Sequence, residues 1–282
     1  MIELGANRYG KSAIRLVKIV RGDDRHQVRD LTVSIALEGE FDAAHVEGDN
    51  AAVVATDTMK NTVYAFARDH LVGPVEAFGL TLANHFAAFD QVRAATVSID
   101  EHRWVRMPTE DGEARDAFLR SGDFTRTAVV TASEGAVTIE AGIRDLAVMK
   151  TGRSAFRGFP RDEYTTLPEV DDRIMATLVN ATWRYGEAVH VAEADALFDA
   201  VGETILDVFA NHDSPSVQAS IWIVGRAVLE RHAAIEEIRM ILPNLHHWLV
   251  DLSPFGQPNE GEIFVATREP YGLIEATVRR DG

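Results

Sequence analysis

The order of apolar patterns along the chain constrains its fold most, because one succession of elements occurs twice. Residues 11–20 and 28–37 are rich in Val, Ile and Leu with charged residues between them. They predict two strands joined by the polar turn Arg21-Gly22-Asp23-Asp24. Two helical patterns follow, 58–68 and 74–89. The second has proline near its start and Val75, Phe78, Leu82, His85, Phe86 and Phe89 at helical spacing. Residues 92–107 and 117–132 read as strands again. The second half repeats this order, with strands at 137–149 and 177–188, helices at 192–210 and 215–232, and strands at 235–252 and 273–279. Its second helix is entered through Ser214-Pro215, an N-cap type followed by proline. Short echoes accompany the repeat, His102-Arg103-Trp104-Val105 against His246-His247-Trp248-Leu249. Strands adjacent in sequence with helices segregated between them predict an α+β fold with antiparallel sheets. The expected units are 1–132 and 133–282, each strand-strand-helix-helix-strand-strand. The segments 109–115 and 253–262 are polar and punctuated by Gly or Pro, and read as surface connections.

Composition narrows the function. A net charge of −16 repels phosphate backbones and anionic lipid surfaces, so neither nucleic acid nor membrane is an expected partner. The absence of cysteine removes disulfides, thiolate metal sites and cysteine nucleophiles together. No Gly-rich strand-turn-helix fingerprint supports a Rossmann or P-loop reading. The start shows no basic run before an apolar stretch, and no apolar run is long enough for a membrane span. The end, Arg279-Arg280-Asp281-Gly282, lacks a Ser-Lys-Leu address. A soluble, cytoplasmic, bacterial-type protein is the expectation.

An ordered series of short motifs then carries a resemblance. It begins with Asn7-Arg8-Tyr9-Gly10-Lys11, Asp49-Asn50 and the run Val53-Val54-Ala55-Thr56-Asp57-Thr58-Met59-Lys60-Asn61-Thr62. His102-Arg103-Trp104, Gly158-Phe159-Pro160-Arg161-Asp162-Glu163-Tyr164-Thr165-Thr166-Leu167 and Asp172-Arg173 continue it. Ala181-Thr182-Trp183, Ser216-Val217-Gln218-Ala219 and Leu242-Pro243-Asn244-Leu245-His246 complete it. In this order they resemble the uricase family. The resemblance implies two tandem T-fold units per subunit and a homotetramer whose sheets join into a β-tunnel, with active sites formed between subunits. It implies oxidation of urate by O2 to 5-hydroxyisourate with release of H2O2, with no cofactor and no metal.

The chemistry suits that reading. Ground-state oxygen is a triplet that reacts slowly with closed-shell molecules, and most enzymes meet this with a flavin, haem or metal. Deprotonated urate is electron-rich enough to give up an electron itself. The protein then has to move protons, grip a purine by plane and edge, and hold oxygen above the ring. By resemblance Lys11, Thr56 and His246 form the proton relay. A lysine can serve as a base, a hydroxyl both donates and accepts, and an imidazole can return the proton. Arg173 and Gln218 match the substrate grips, a two-pronged donor and a donor–acceptor amide. The backbone at Asp57 and Val217 matches further contacts, at helix starts where free N–H groups favour an anion. Phe156 matches the aromatic that stacks on the purine, and Asn244 the amide that holds oxygen or water. Taken singly, each has an ordinary structural role. Asp57 or Thr58 would cap a helix, and Arg173 would pair with Asp171 or Asp172. Two other readings stand beside the family's: another pterin- or purine-handling T-fold enzyme with a metal site, and a non-catalytic purine-binding homologue.

Overall fold

The computed structural model describes residues 2–186 and 190–281. The chain divides into two compact units. One comprises Met1–Gly142 with Arg184–Phe198, and the other Ile143–Trp183 with Asp199–Gly282. The class is α+β with antiparallel sheets, as expected.

In the first unit β1 (Tyr9–Arg21) pairs with β2 (His26–Gly39) and β2 with β3 (Val92–Glu101). A hairpin of β4 (Trp104–Thr109) and β5 (Gly112–Arg120) intervenes before β6 (Thr125–Ser133), which pairs with β3. Alternation explains the core. Leu31, Val33, Ile35 and Leu37 of β2 are buried, and so are Ala95, Val97 and Ile99 of β3 and Ala128, Val130 and Ala132 of β6. Onto that face pack α2 (Thr56–His70) and α3 (Val75–Ala87), through Met59 and Val63 and through Phe78, Leu82 and Phe86. Each such large side chain contributes about 2 kcal/mol on leaving water. Gly79 lets α3 approach closely, since a Cβ there would lie 2.9 Å from Val130 Cγ2. A short helix, α1 (Asp42–Val46), sits before α2 and has no counterpart in the periodicity.

The strand β7 (Ala136–Lys150) begins in the first unit and ends in the second, which holds most of β8 (Met175–Tyr185) and of α4 (Ala194–Asn211) and all of α5 (Val217–Arg231). Next come β9 (Ile235–Leu245), β10 (His247–Leu249), β11 (Phe264–Ala266) and β12 (Gly272–Arg279). Of the strand expected at 177–188, residues 187 and 188 lie outside the described residues. α5 packs on β9 and β12, and Ile221, Val224 and Val228 of the helix and Ile238 and Val278 of the strands are all buried. Gly225 is as tight as Gly79, its would-be Cβ 2.7 Å from Val278 Cγ2.

The expected long strands at 92–107, 117–132 and 235–252 are each broken. In the first pair the break makes the β4–β5 hairpin, turned through Glu110-Asp111 with Gly112 at φ +126°. The predicted loop at 109–115 is therefore mostly strand. In the third, β9 pairs with β12 while β10 pairs with β11, and His246 sits at the break. Period-two alternation continues across such a corner, so pattern alone does not reveal the change of partner.

Candidate active site

Lys11, Thr56 and Asp57 belong to the first unit. A bulge in β1 follows Lys11, with Ala13 at φ +57° and its N–H donating to Ser34 Oγ at 3.0 Å. Bulges of this kind re-aim a side chain relative to the ladder. Tyr9, two residues earlier, clamps the approach to α2. Its hydroxyl accepts from Val54 N at 2.8 Å and donates to Val54 O at 3.2 Å. Desolvation raises the Tyr9 pKa above its ordinary value. The clamp fixes the entry to α2, whose N-cap is Ala55 and which no side chain caps. Asp57 does not cap it. Its carboxylate pairs with Lys60 and accepts from Asn61 at 2.9 Å. The Lys60 hydrogen bond chiefly lowers its pKa, with Lys11 adding a smaller favourable charge. The first backbone N–H groups of α2, at Thr56 and Asp57, are left open to an acceptor. Among the described residues, neither Lys11 Nζ nor the Thr56 hydroxyl makes a hydrogen bond.

The second unit holds the other set around a cavity of about 880 Å³ lined by Phe156, Arg173, Asn244, His246 and Trp248, among others. Phe156 is held by paired backbone bonds with Val170, at 2.9 and 3.1 Å. Its ring stacks on Phe159, centroids 4.9 Å apart and planes 13° apart. The Arg173 guanidinium carbon lies 5.3 Å from the Phe156 centroid. Neither neighbouring aspartate takes Arg173. Asp171 pairs with Arg157, and Asp172 Oδ1 accepts from Ser154 N at 3.2 Å. Among the described residues Arg173 Nε is buried with no hydrogen-bond partner, and burial lowers the Arg173 pKa. Such a donor costs about 1–3 kcal/mol if nothing meets it. Desolvation lowers the His246 pKa, with a further push from Arg173, so the imidazole favours its neutral form.

Val217 and Gln218 are not among the residues that line this cavity. They open α5, whose N-cap is Ser216, its hydroxyl accepting from Ala219 N at 3.1 Å. The expected cap at Ser214 is displaced because that hydroxyl is used inward, 2.8 Å from Ser220 Oγ. The backbone of Ser214 ties the helix entry to the Phe156 segment. Ala155 N donates to Ser214 O at 2.8 Å and Ser214 N to Arg153 O at 2.9 Å. Sequence reasoning assigned no part in the site's chemistry to Tyr9, Ser214, Asp172 or Trp248. Tyr9 and Asp172 stand inside the quoted motifs, and Trp248 inside the His-x-Trp echo. Among the described residues, no three His, Asp or Glu side chains gather as for a metal ion.

The uricase family profile matches residues 7–131 and 139–275. The chain is 49% identical to a uricase from Arthrobacter globiformis over 282 residues, covering all of this chain and 91% of that protein. The chain belongs to the uricase family. Family membership extends beyond bacteria, with 37% identity to an Aspergillus flavus uricase over 99% of this chain and 98% of that one. A crystal structure of the Arthrobacter globiformis uricase superposes with a TM-score of 0.95 at 48% identity, covering all of this chain and 96% of that chain. The tandem T-fold expected from the resemblance stands with it.

Proposed function

We propose that this chain is a urate oxidase, taking two electrons and two protons from urate to O2 with addition of water at C5. The products are 5-hydroxyisourate and H2O2, and neither metal nor organic cofactor takes part. One observation carries the reading beyond family membership. Lys11, Thr56, Arg173, Gln218, Asn244 and His246 all have side-chain polar groups that make no hydrogen bond among the described residues. Of these groups the Arg173 Nε is buried with no partner, in a cavity that also presents Asn244 and His246, and a buried unpaired donor of that kind is what a site awaiting a polar ligand requires.

In the reaction, Arg173 and Gln218 grip the purine edge and Phe156 takes its plane. The open N–H groups at the starts of α2 and α5 favour its negative charge. Lys11, through the Thr56 hydroxyl, and His246 move the protons, and Asn244 holds oxygen or water over the ring. The two sets come from different subunits of a homotetramer whose sheets form a tunnel, so each active site is built at a subunit interface. The repeats run 1–132 and 133–282, and the enzyme works in the cytoplasm. Among the described residues no helix is long and apolar enough to cross a membrane.

The test supplies urate in air with a chelator present and follows loss of urate absorbance together with peroxide release. Stoichiometric loss of urate and gain of peroxide is expected. Tight binding without turnover, or activity that the chelator abolishes, would overturn the proposal.

A further inference from the structure

A reactive histidine is ordinarily held in place by a hydrogen bond from one ring nitrogen to a carboxylate or carbonyl. His246 lacks that restraint. Its backbone oxygen accepts from Thr267 N at 2.9 Å, which fixes the main chain but not the ring. Among the described residues neither ring nitrogen has a hydrogen-bond partner. What lies against the ring is Trp248, its centroid 5.2 Å from that of the imidazole and its plane inclined by 27°. The backbone of Trp248 is held by the β10–β11 ladder, which sets Trp248 opposite Val265. The indole is 49% exposed, so core packing does not explain a large aromatic there.

We infer that Trp248 is a positioning residue for His246, holding the imidazole plane by stacking so that both ring nitrogens stay free for proton exchange. The inference rests on the urate oxidase reading, in which His246 belongs to the relay. A hydrogen-bonded orienter would commit one nitrogen permanently as a donor. A flat apolar partner restrains rotation about the Cβ–Cγ bond and commits neither. A relay that accepts a proton on one side and passes it on at the other gains from that arrangement.

Two variants separate planarity from bulk. Trp248→Leu keeps an apolar side chain without a flat face, and Trp248→Phe keeps the face. For Trp248→Leu we expect kcat to fall about tenfold with KM for urate changed less than about twofold, because misplacement of a proton-transfer group acts on the chemical step. Trp248→Phe should return kcat to within about threefold of the parent enzyme. A second readout is the His246 Cε1 proton resonance. The indole ring current shifts it in the parent, the phenyl ring does so in Trp248→Phe, and the shift is lost in Trp248→Leu. Trp248→Met gives the same non-planar comparison should Trp248→Leu fold poorly. Unchanged kcat in a folded non-planar variant, or a raised KM with kcat intact, overturns the inference alone. A parent enzyme that leaves urate untouched overturns the function, and the inference with it.

Discussion

The two His-x-Trp segments show opposite uses of one pattern. In the first unit His102 is engaged at both nitrogens, Nε2 lying 2.7 Å from Thr32 Oγ1 and Nδ1 3.0 Å from Arg120 Nη2. The Trp104 indole donates to Asp30 Oδ2 at 3.0 Å, and Arg15 pairs with that same buried carboxylate. In the second unit, among the described residues, His246 has free nitrogens and a stacked Trp248, and Arg173 has a buried donor with nothing to meet. Satisfied donors build scaffold, and unsatisfied donors around a cavity build a site. Both histidines favour the neutral form, chiefly through burial. Arg15 and Arg120 add to this at His102, and Arg173 does so at His246. Titration therefore does not distinguish the two segments, but hydrogen bonding does.

The largest expected effect lies with the relay. Lys11→Met should lower kcat at least about a hundredfold while KM changes little, since general acid–base groups contribute on this scale. Thr56→Ala should move in the same direction. Steady-state kinetics decide it, and normal turnover removes the residue from the mechanism. Next, Arg173→Ala should raise KM for urate about tenfold or more, through loss of charge-assisted donors, with the melting temperature held or raised. A normal KM there contradicts the assignment. Asp30→Ala should show the mirror image, a loss of about 2 kcal/mol in denaturant unfolding with KM unchanged. Weakened urate binding in that variant would break the contrast between the two segments.

The smallest effect is a pH dependence. His102, His212, His232 and His246 all have pKa values lowered by burial in the folded state. Below the ordinary histidine value of about 6.5 the unfolded chain takes up protons that the folded chain resists. Their contribution to stability is therefore complete above that pH and lost as pH falls below it. His102→Gln should flatten the slope of stability against pH between about 6.5 and 5, which melting curves across that range will register. An unaltered slope would remove His102 from the linkage.

Much of the fold was legible because alternation and helical spacing follow directly from burial. Leu31, Val33, Ile35 and Leu37 all point inward as the pattern of β2 requires, and Val75, Phe78, Leu82 and Phe86 form the buried face of α3. Strand corners were not legible. β9 and β10 run on in sequence yet pair with different partners, and only long-range hydrogen bonding separates them. Within the candidate site, residue types were visible but their commitments were not. Asp57 looked like a cap and turned out to bind Lys60, and Arg173 looked like an ion-pair partner and turned out to have none among the described residues.

By itself, the sequence determined the class of fold, the duplicated order of elements and the family, because each is written in local periodicity and in ordered motifs. The tertiary structure alone decided which polar groups are spent on the protein and which are left over. That balance depends on neighbours far apart in the chain, such as Val54 against Tyr9 or Ser154 against Asp172. It also decided that an indole, rather than a hydrogen bond, lies against the histidine of the proposed relay, because a stacking contact depends on ring planes that residue order does not encode.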